Sequence, residues 1–290
     1  MSLKHTALCL LFCYLVVSIQ SIAKSKILLL DFFTSPCKCR CGVPNRQARI
    51  LGGELTMNHE FPWSSTIHAF RNNTAEEIQG TLLNNRYIVT AASRVLGLTP
   101  LDLKVTLGQY DKCFPDTSSM NVSVEKIVLH PDFSETTRAH DLALIKFNGQ
   151  VNFERRIQPI CLPTPSIRYL GQVATILGWP KKNNDQCVGR KIGLPVLDQK
   201  TCSSFSENNH LVTQDKQCAG VVGAKSLICS DDAGGPVMFR SYGGTYELLG
   251  ILADYNDCEK PENLVYYTAI NEHLTWITHN TRDACYCYKI

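Results

Sequence analysis

Cysteine most narrows what this chain can become. It carries 14 cysteines in 290 residues, and only Cys9 and Cys13 fall within the first 23, leaving an even set of 12 beyond them. So many paired thiols suit an oxidising compartment, where they close the chain into a disulfide framework. The start of the chain agrees with that compartment. Lys4 and His5 precede an apolar run from Ala7 to Val17, and Ser21 and Ala23 sit at the small-residue positions of a cleavage site. Residues 1–23 therefore read as a secretory signal peptide. The run is shorter than the roughly 20 residues a spanning helix needs, so no membrane attachment is expected after its removal, and the protein is expected to be secreted and extracellular.

The rest has the means to fold. With 44% hydrophobic and 19% charged residues, it can bury a sizeable core, as one large domain or two small ones. Net charge is only +3 and the Lys and Arg residues are scattered, which argues against nucleic acid as a partner. Asn72-Asn73-Thr74 and Asn121-Val122-Ser123 are glycosylation sequons, so Asn72 and Asn121 are candidate carriers of glycan. Cys37-x-Cys39-x-Cys41 has a spacing that thiolate metal sites use, but in a secreted chain disulfides are the expected use. No cofactor or metal is implied.

Four segments carry the chemistry. Arg49-Ile50-Leu51-Gly52-Gly53 places a basic residue before an aliphatic one. Tyr87-Ile88-Val89-Thr90 alternates like a half-buried strand and runs into Ala91-Ala92-Ser93-Arg94. Asp141-Leu142-Ala143-Leu144-Ile145 reads as a strand, and Cys229-Ser230-Asp231-Asp232-Ala233-Gly234-Gly235-Pro236 as a tight loop. In this order and at these spacings across residues 41–278, they resemble the landmarks of the chymotrypsin-family (S1) serine peptidases. The resemblance implies an all-β fold of two six-stranded antiparallel β-barrels with a cleft between them and a C-terminal α-helix over Asn271–His279, its apolar face formed by Leu274, Trp276 and Ile277 and its N-cap by Asn271. It places that domain at residues 50–290, after a Cys-rich, propeptide-like segment at 24–49. Gly178-Trp179 is expected to open the second barrel.

The same resemblance implies a degenerate active site. Ala233 stands where the family has its nucleophilic serine, and a methyl group has no lone pair for a base to activate. Ser93 stands where the general-base histidine belongs, and an ordinary hydroxyl takes no proton near neutral pH. Asp141 is the retained triad aspartate, a carboxylate whose usual role is to orient an imidazole that is absent. If buried it needs donors, and the Ser93 hydroxyl is the expected one. Neighbouring His140 cannot substitute, because adjacent side chains on a strand face opposite ways. His130, in Ile127-Val128-Leu129-His130-Pro131-Asp132, reads as a surface turn histidine. In the substrate cleft Leu227, Asp231, Tyr255 and Val265 replace the pocket floor, the oxyanion-hole glycine and two pocket glycines, and Ala253 begins the segment where the family has Ser-Trp-Gly.

Further expectations follow from the family. Cleavage after Arg49 frees the Ile50 amino group, which pairs with Asp232. Cys41 pairs with Cys161, Cys202 with Cys218 and Cys229 with Cys258, while Cys113 and Cys187 form an extra pair seen in some arthropod members. Cys37 and Cys39 are left for Cys285 and Cys287, with their connectivity open. Arg94 with Ile78, and Ala174 with Phe239, replace two further family pairs, each lost together, so neither leaves an orphan thiol. The reading is a secreted, inactive serine protease homolog whose partners are extracellular proteases, zymogens or protease inhibitors, in immune or clotting cascades or in venom. Two others compete with it: a peptidase using Ser93 or Ser230 as an unorthodox nucleophile, and a structural or adhesive domain.

Overall fold

The computed structural model describes residues 37–45, 54–71, 74–114, 116, 119–165, 169–179, 187–205, 213–221, 232–253 and 264–289. After the short strand β1 (Glu54–Leu55) come β2 (Ser64–Arg71), β3 (Thr74–Leu82), β4 (Tyr87–Thr90), the helical turn α1 (Ala92–Val95), β5 (Leu103–Leu107), β6 (Met120–Leu129) and β7 (Ala143–Phe147). These six strands, β2 to β7, close antiparallel in the order β2-β3-β4-β7-β6-β5, with β5 paired back to β2 from Ser65↔Leu107 to Ala69↔Leu103. Inward residues such as Ile67, Ile78, Val105, Ile145 and Phe147 are fully buried and fill the barrel as side chains alternate along each strand. β4 departs from the expected half-burial, since all four of its residues are buried. The C-terminal segment adds a cover on this side, where the Tyr87 hydroxyl donates to Asp283 Oδ1 at 2.7 Å.

The second unit contains β8 (Val173–Gly178), β9 (Arg190–Pro195), the helix α2 (Gln199–Ser204), β10 (Lys216–Ala219), β11 (Pro236–Arg240), β12 (Tyr246–Leu252) and β13 (Val265–Ala269). Their antiparallel order is β1-β9-β8-β11-β12-β13-β10. The curled sheet meets itself through the single bridge Val196↔Ala219, flanked by Leu197 N–H donating to Cys218 O and Gly220 N–H to Pro195 O, both at 3.0 Å. Gly178 thus ends the first strand of this unit, which opens at Val173. The chain finishes in a 3-10 turn, Ile270–His273, followed by α3 (Leu274–Asn280). Asn271 lies inside that turn and is not an N-cap; the cap residues are Ala269 and His273, neither with a capping side-chain bond. Ile277 is buried, with Leu274 and Trp276 packed partly buried against the core.

Among the described residues, five disulfides join Cys37 to Cys285, Cys39 to Cys287, Cys41 to Cys161, Cys113 to Cys187 and Cys202 to Cys218. The N-terminal segment is also held by backbone, with Arg40 bridged to Tyr288. Gly42 has φ +66°, and a Cβ there would lie 2.2 Å from the Tyr246 carbonyl oxygen, so only glycine fits. At one pair of missing cysteines Ala174 and Phe239 face each other in register across β8 and β11, and the Phe239 ring packs on Tyr169. At the other, Ile78 is buried and the Arg94 guanidinium pairs with Glu76. Cys229 and Cys258 lie outside the described residues.

Candidate functional site

α1 follows β4 after a single residue, so Ser93 is delivered at the mouth of the first barrel beside the turn that precedes β7. Asp141 is fully buried there. Its Oδ1 accepts the Ser93 N–H at 2.7 Å and its Oδ2 accepts the Ser93 hydroxyl at 2.9 Å. Burial raises the Asp141 pKa, while Lys216 and the two Ser93 donors oppose the rise. Lys216 is equally buried. Its Nζ donates to Thr268 Oγ1 at 2.5 Å and stands 3.9 Å from Asp215 Oδ2; burial lowers its pKa against the attraction of Asp141 and Asp215. Among the described residues, the Asp141 carboxylate thus accepts from the Ser93 hydroxyl and N–H and feels the Lys216 ammonium. Ala253 is buried and has no hydroxyl to add to these donors. Sequence reasoning missed Lys216, because a lysine at the head of a short strand normally points to water.

The loop of Ala233 seats against the same barrel end. Ala233 is fully buried. Gly234 has φ +90°, and a Cβ there would meet Thr90 Oγ1 at 2.3 Å and Gln79 O at 2.4 Å, so the glycine permits the loop to touch the end of β4. Asp232, also fully buried, accepts from Gln79 Nε2 at 2.9 Å and from the Trp179 N–H at 2.6 Å. Its carboxylate fills space that a Cβ on Gly178 would need, at 2.8 Å. Val265 is buried on β13, in register with Ala219. Asn121 is exposed on β6, where its Oδ1 accepts from Thr106 Oγ1 at 2.9 Å. Arg49, Ile50, Asn72, Leu227, Ser230, Asp231 and Tyr255 lie outside the described residues.

Two histidines depart from their sequence readings. His130 is no surface residue: it is only 8% exposed and its ring stacks on His140 at 4.9 Å. Burial, then His273 and His140, lowers its pKa to about 4. His140 and Asp141 precede β7 and do not lie on it. The alternation argument therefore does not apply to His140, whose left-handed φ of +54° instead carries its ring to His130 and His273. Below them the Asp215 carboxylate accepts the His140 N–H at 2.8 Å and the Thr213 hydroxyl at 2.5 Å. Burial works against its charge, yet His273, Lys216 and these donors hold its pKa well below the ordinary aspartate range.

A family model described as Trypsin matches residues 50–277. The chain is similar to phenoloxidase-activating factor 1 of Holotrichia diomphalia, 32% identical over 266 residues, which cover 83% of this chain and 72% of that protein. It is likewise 32% identical over 263 residues to CLIP domain-containing serine protease B4 of Anopheles gambiae, again 83% and 72% of the two chains. It is also 28% identical over 257 residues to the proclotting enzyme of Tachypleus tridentatus, 83% of this chain and 68% of that one.

Proposed function

The chain belongs to the trypsin family of serine peptidases, and from that premise we propose that it is a secreted, non-catalytic member that acts by binding proteins of a proteolytic cascade. The observation that carries this reading is the pairing of Ser93 with Asp141. Where the family places an imidazole, this chain has a hydroxyl donating to the triad carboxylate at 2.9 Å, and Ala233 offers no oxygen to activate. Disabling such a triad lowers turnover by about a million-fold in subtilisin. The pocket replacements Leu227, Asp231, Tyr255 and Val265 point the same way, since the Asp231 carboxylate would oppose the negative charge an oxyanion hole stabilises.

The relatives named as a phenoloxidase-activating factor and a proclotting enzyme support proteases, zymogens or inhibitors as the class of partner. In this reading residues 1–23 are removed on secretion, Asn72 and Asn121 carry glycan, and cleavage after Arg49 separates residues 24–49 from a 50–290 domain. Asp232, which accepts from Gln79 Nε2 and from the Trp179 N–H, is the carboxylate that would take the Ile50 ammonium.

A second reading keeps some hydrolytic activity, and one contact favours it: Asp141 gives Ser93 a carboxylate neighbour that its own motif does not contain. Labelling with a fluorophosphonate probe separates the two. The binding reading expects no signal above a heat-denatured control, whereas label mapped to Ser93 or Ser230 by peptide mass would overturn it. Immobilised protein should then capture a protease, zymogen or inhibitor from the secretions of its source. Recovery of none of these would leave the binding role without support.

A further inference from the structure

Behind the degenerate triad, three histidines that no catalytic reading uses are packed ring against ring. His130 ends the run of β6, His140 sits in the turn before β7, and His273 closes the 3-10 turn ahead of α3. Their centroids are 4.9 Å apart for His130 and His140, 4.9 Å for His130 and His273, and 5.3 Å for His140 and His273. One ring nitrogen from each lies within 4.8 Å of the other two. We propose that His130, His140 and His273 form a binding site for a single divalent transition-metal ion of the zinc class.

Ordinary core packing does not account for this cluster. His273 is 3% exposed, yet its Nε2 makes no hydrogen bond, the Asp215 carboxylate standing 3.6 Å away; the buried Nδ1 of His140 makes none either. A buried polar atom left unsatisfied costs about 1–3 kcal/mol, and two of them meet here. The backbone is strained toward the same point. Arg138 and His140 both have positive φ, +56° and +54°, in a region that costs non-glycine residues about 1–3 kcal/mol. Bound metal would use the orphaned nitrogens and repay the strained turn.

The donor set suits the ion. Three imidazoles with one open position are a common zinc arrangement, with nitrogens about 2.0–2.1 Å from the metal and so about 3.4 Å from one another. The nitrogens here, within 4.8 Å of one another, would draw together to that spacing on binding. Asp215 Oδ2 lies 3.6 Å from the same His273 Nε2, so its carboxylate places negative charge beside a bound cation. Lys216, 3.9 Å from the same Asp215 oxygen, opposes a cation, and the Asp215 carboxylate offsets it. His130 and His273 are buried, with the Trp276 ring 4.7 Å from His130, while His140 is only half-buried and provides the entry. An ion there would tie the first barrel to the C-terminal turn directly beside Asp141, a role distinct from the triad and independent of partner binding.

The test is calorimetric titration of zinc chloride into the chelator-treated, disulfide-intact, full-length secreted protein, alongside thermal unfolding with and without the metal. One equivalent should bind saturably with a raised Tm. His140→Asn and His273→Tyr should each weaken binding by at least about 100-fold, and Asp215→Asn, which takes a negative charge from beside the ion without removing an imidazole, should weaken it less. His140 is the more exposed ligand, so its variant keeps the test sound if the His273 variant does not fold. No saturable binding, or binding unchanged in His140→Asn, overturns the site.

Discussion

At the scale of single residues, the surroundings of Asp141 carry the most information. It is fully buried, and a low-dielectric interior tolerates a buried carboxylate only with compensating donors and charge. Ser93 supplies two donors and Lys216 the charge. Removing one member of a buried pair strands the other, at a cost of about 3–5 kcal/mol. Lys216→Met should therefore lose about that much stability in urea unfolding, and a double variant with Asp141→Asn should lose less than the sum of the two singles. A Lys216→Met protein within about 1 kcal/mol of the parent would show that the ammonium is no partner to Asp141. Ser93 and Ala233 stood out in the sequence because each falls inside a motif of fixed spacing. Lys216 and the histidine cluster did not, since Lys216 meets Thr268, and His273 meets His130 and His140, only once the fold has closed.

At the scale of elements, the chain's two ends hold each other. Residues 37–41 run beside 285–288, joined by two disulfides of sequence separation 248 and by Cys41 N–H donating to Tyr288 O and Tyr288 N–H to Cys39 O, both at 3.1 Å. Either bridge alone closes almost the same loop, so the second adds little loss of unfolded-chain entropy. Replacing Cys39 and Cys287 together by serine should cost about 1 kcal/mol or less, whereas removing both pairs should cost about 2–5 kcal/mol. Differential scanning calorimetry distinguishes these outcomes, and equal large losses from each single pair would contradict shared loop closure. The strand-rich architecture was readable in advance because the ordered motifs resemble those of the serine peptidase family, whose fold they imply. What escaped was local: Tyr87–Thr90 alternates like a half-exposed strand but is covered on both sides, and Asn271 looks like a helix cap although the helix is preceded by a 3-10 turn that absorbs it.

At the scale of the whole molecule, one buried carboxylate fastens segments from three parts of the chain. Glu247, on β12 and 1% exposed, accepts the Thr164 N–H at 2.9 Å from the connection between the two units and the Tyr169 hydroxyl at 2.9 Å from the approach to β8. It also pairs with Lys289 near the C-terminus. Burial alone would raise its pKa, but Lys289, Thr164 and Tyr169 together bring it below the ordinary value. Asp283, exposed but paired with Arg86 and Lys146, shifts in the same direction against its own desolvation. A depressed folded-state pKa contributes stability above the unfolded pKa, and that contribution is lost as pH falls through the folded one. The carboxylates' share of the Tm profile should accordingly be flat above about pH 5 and fall below the ordinary glutamate value of about 4.3, on top of the loss that starts below about pH 6.5 because His130 is buried with a lowered pKa. Glu247→Gln keeps the shape of the side chain but not its charge, so it should be less stable than the parent at neutral pH. The gap should narrow steadily as acid protonates Glu247 in the parent. A gap that stays constant from pH 7 to pH 3 would mean that the carboxylate's charge does not fasten these segments and that its packing alone does.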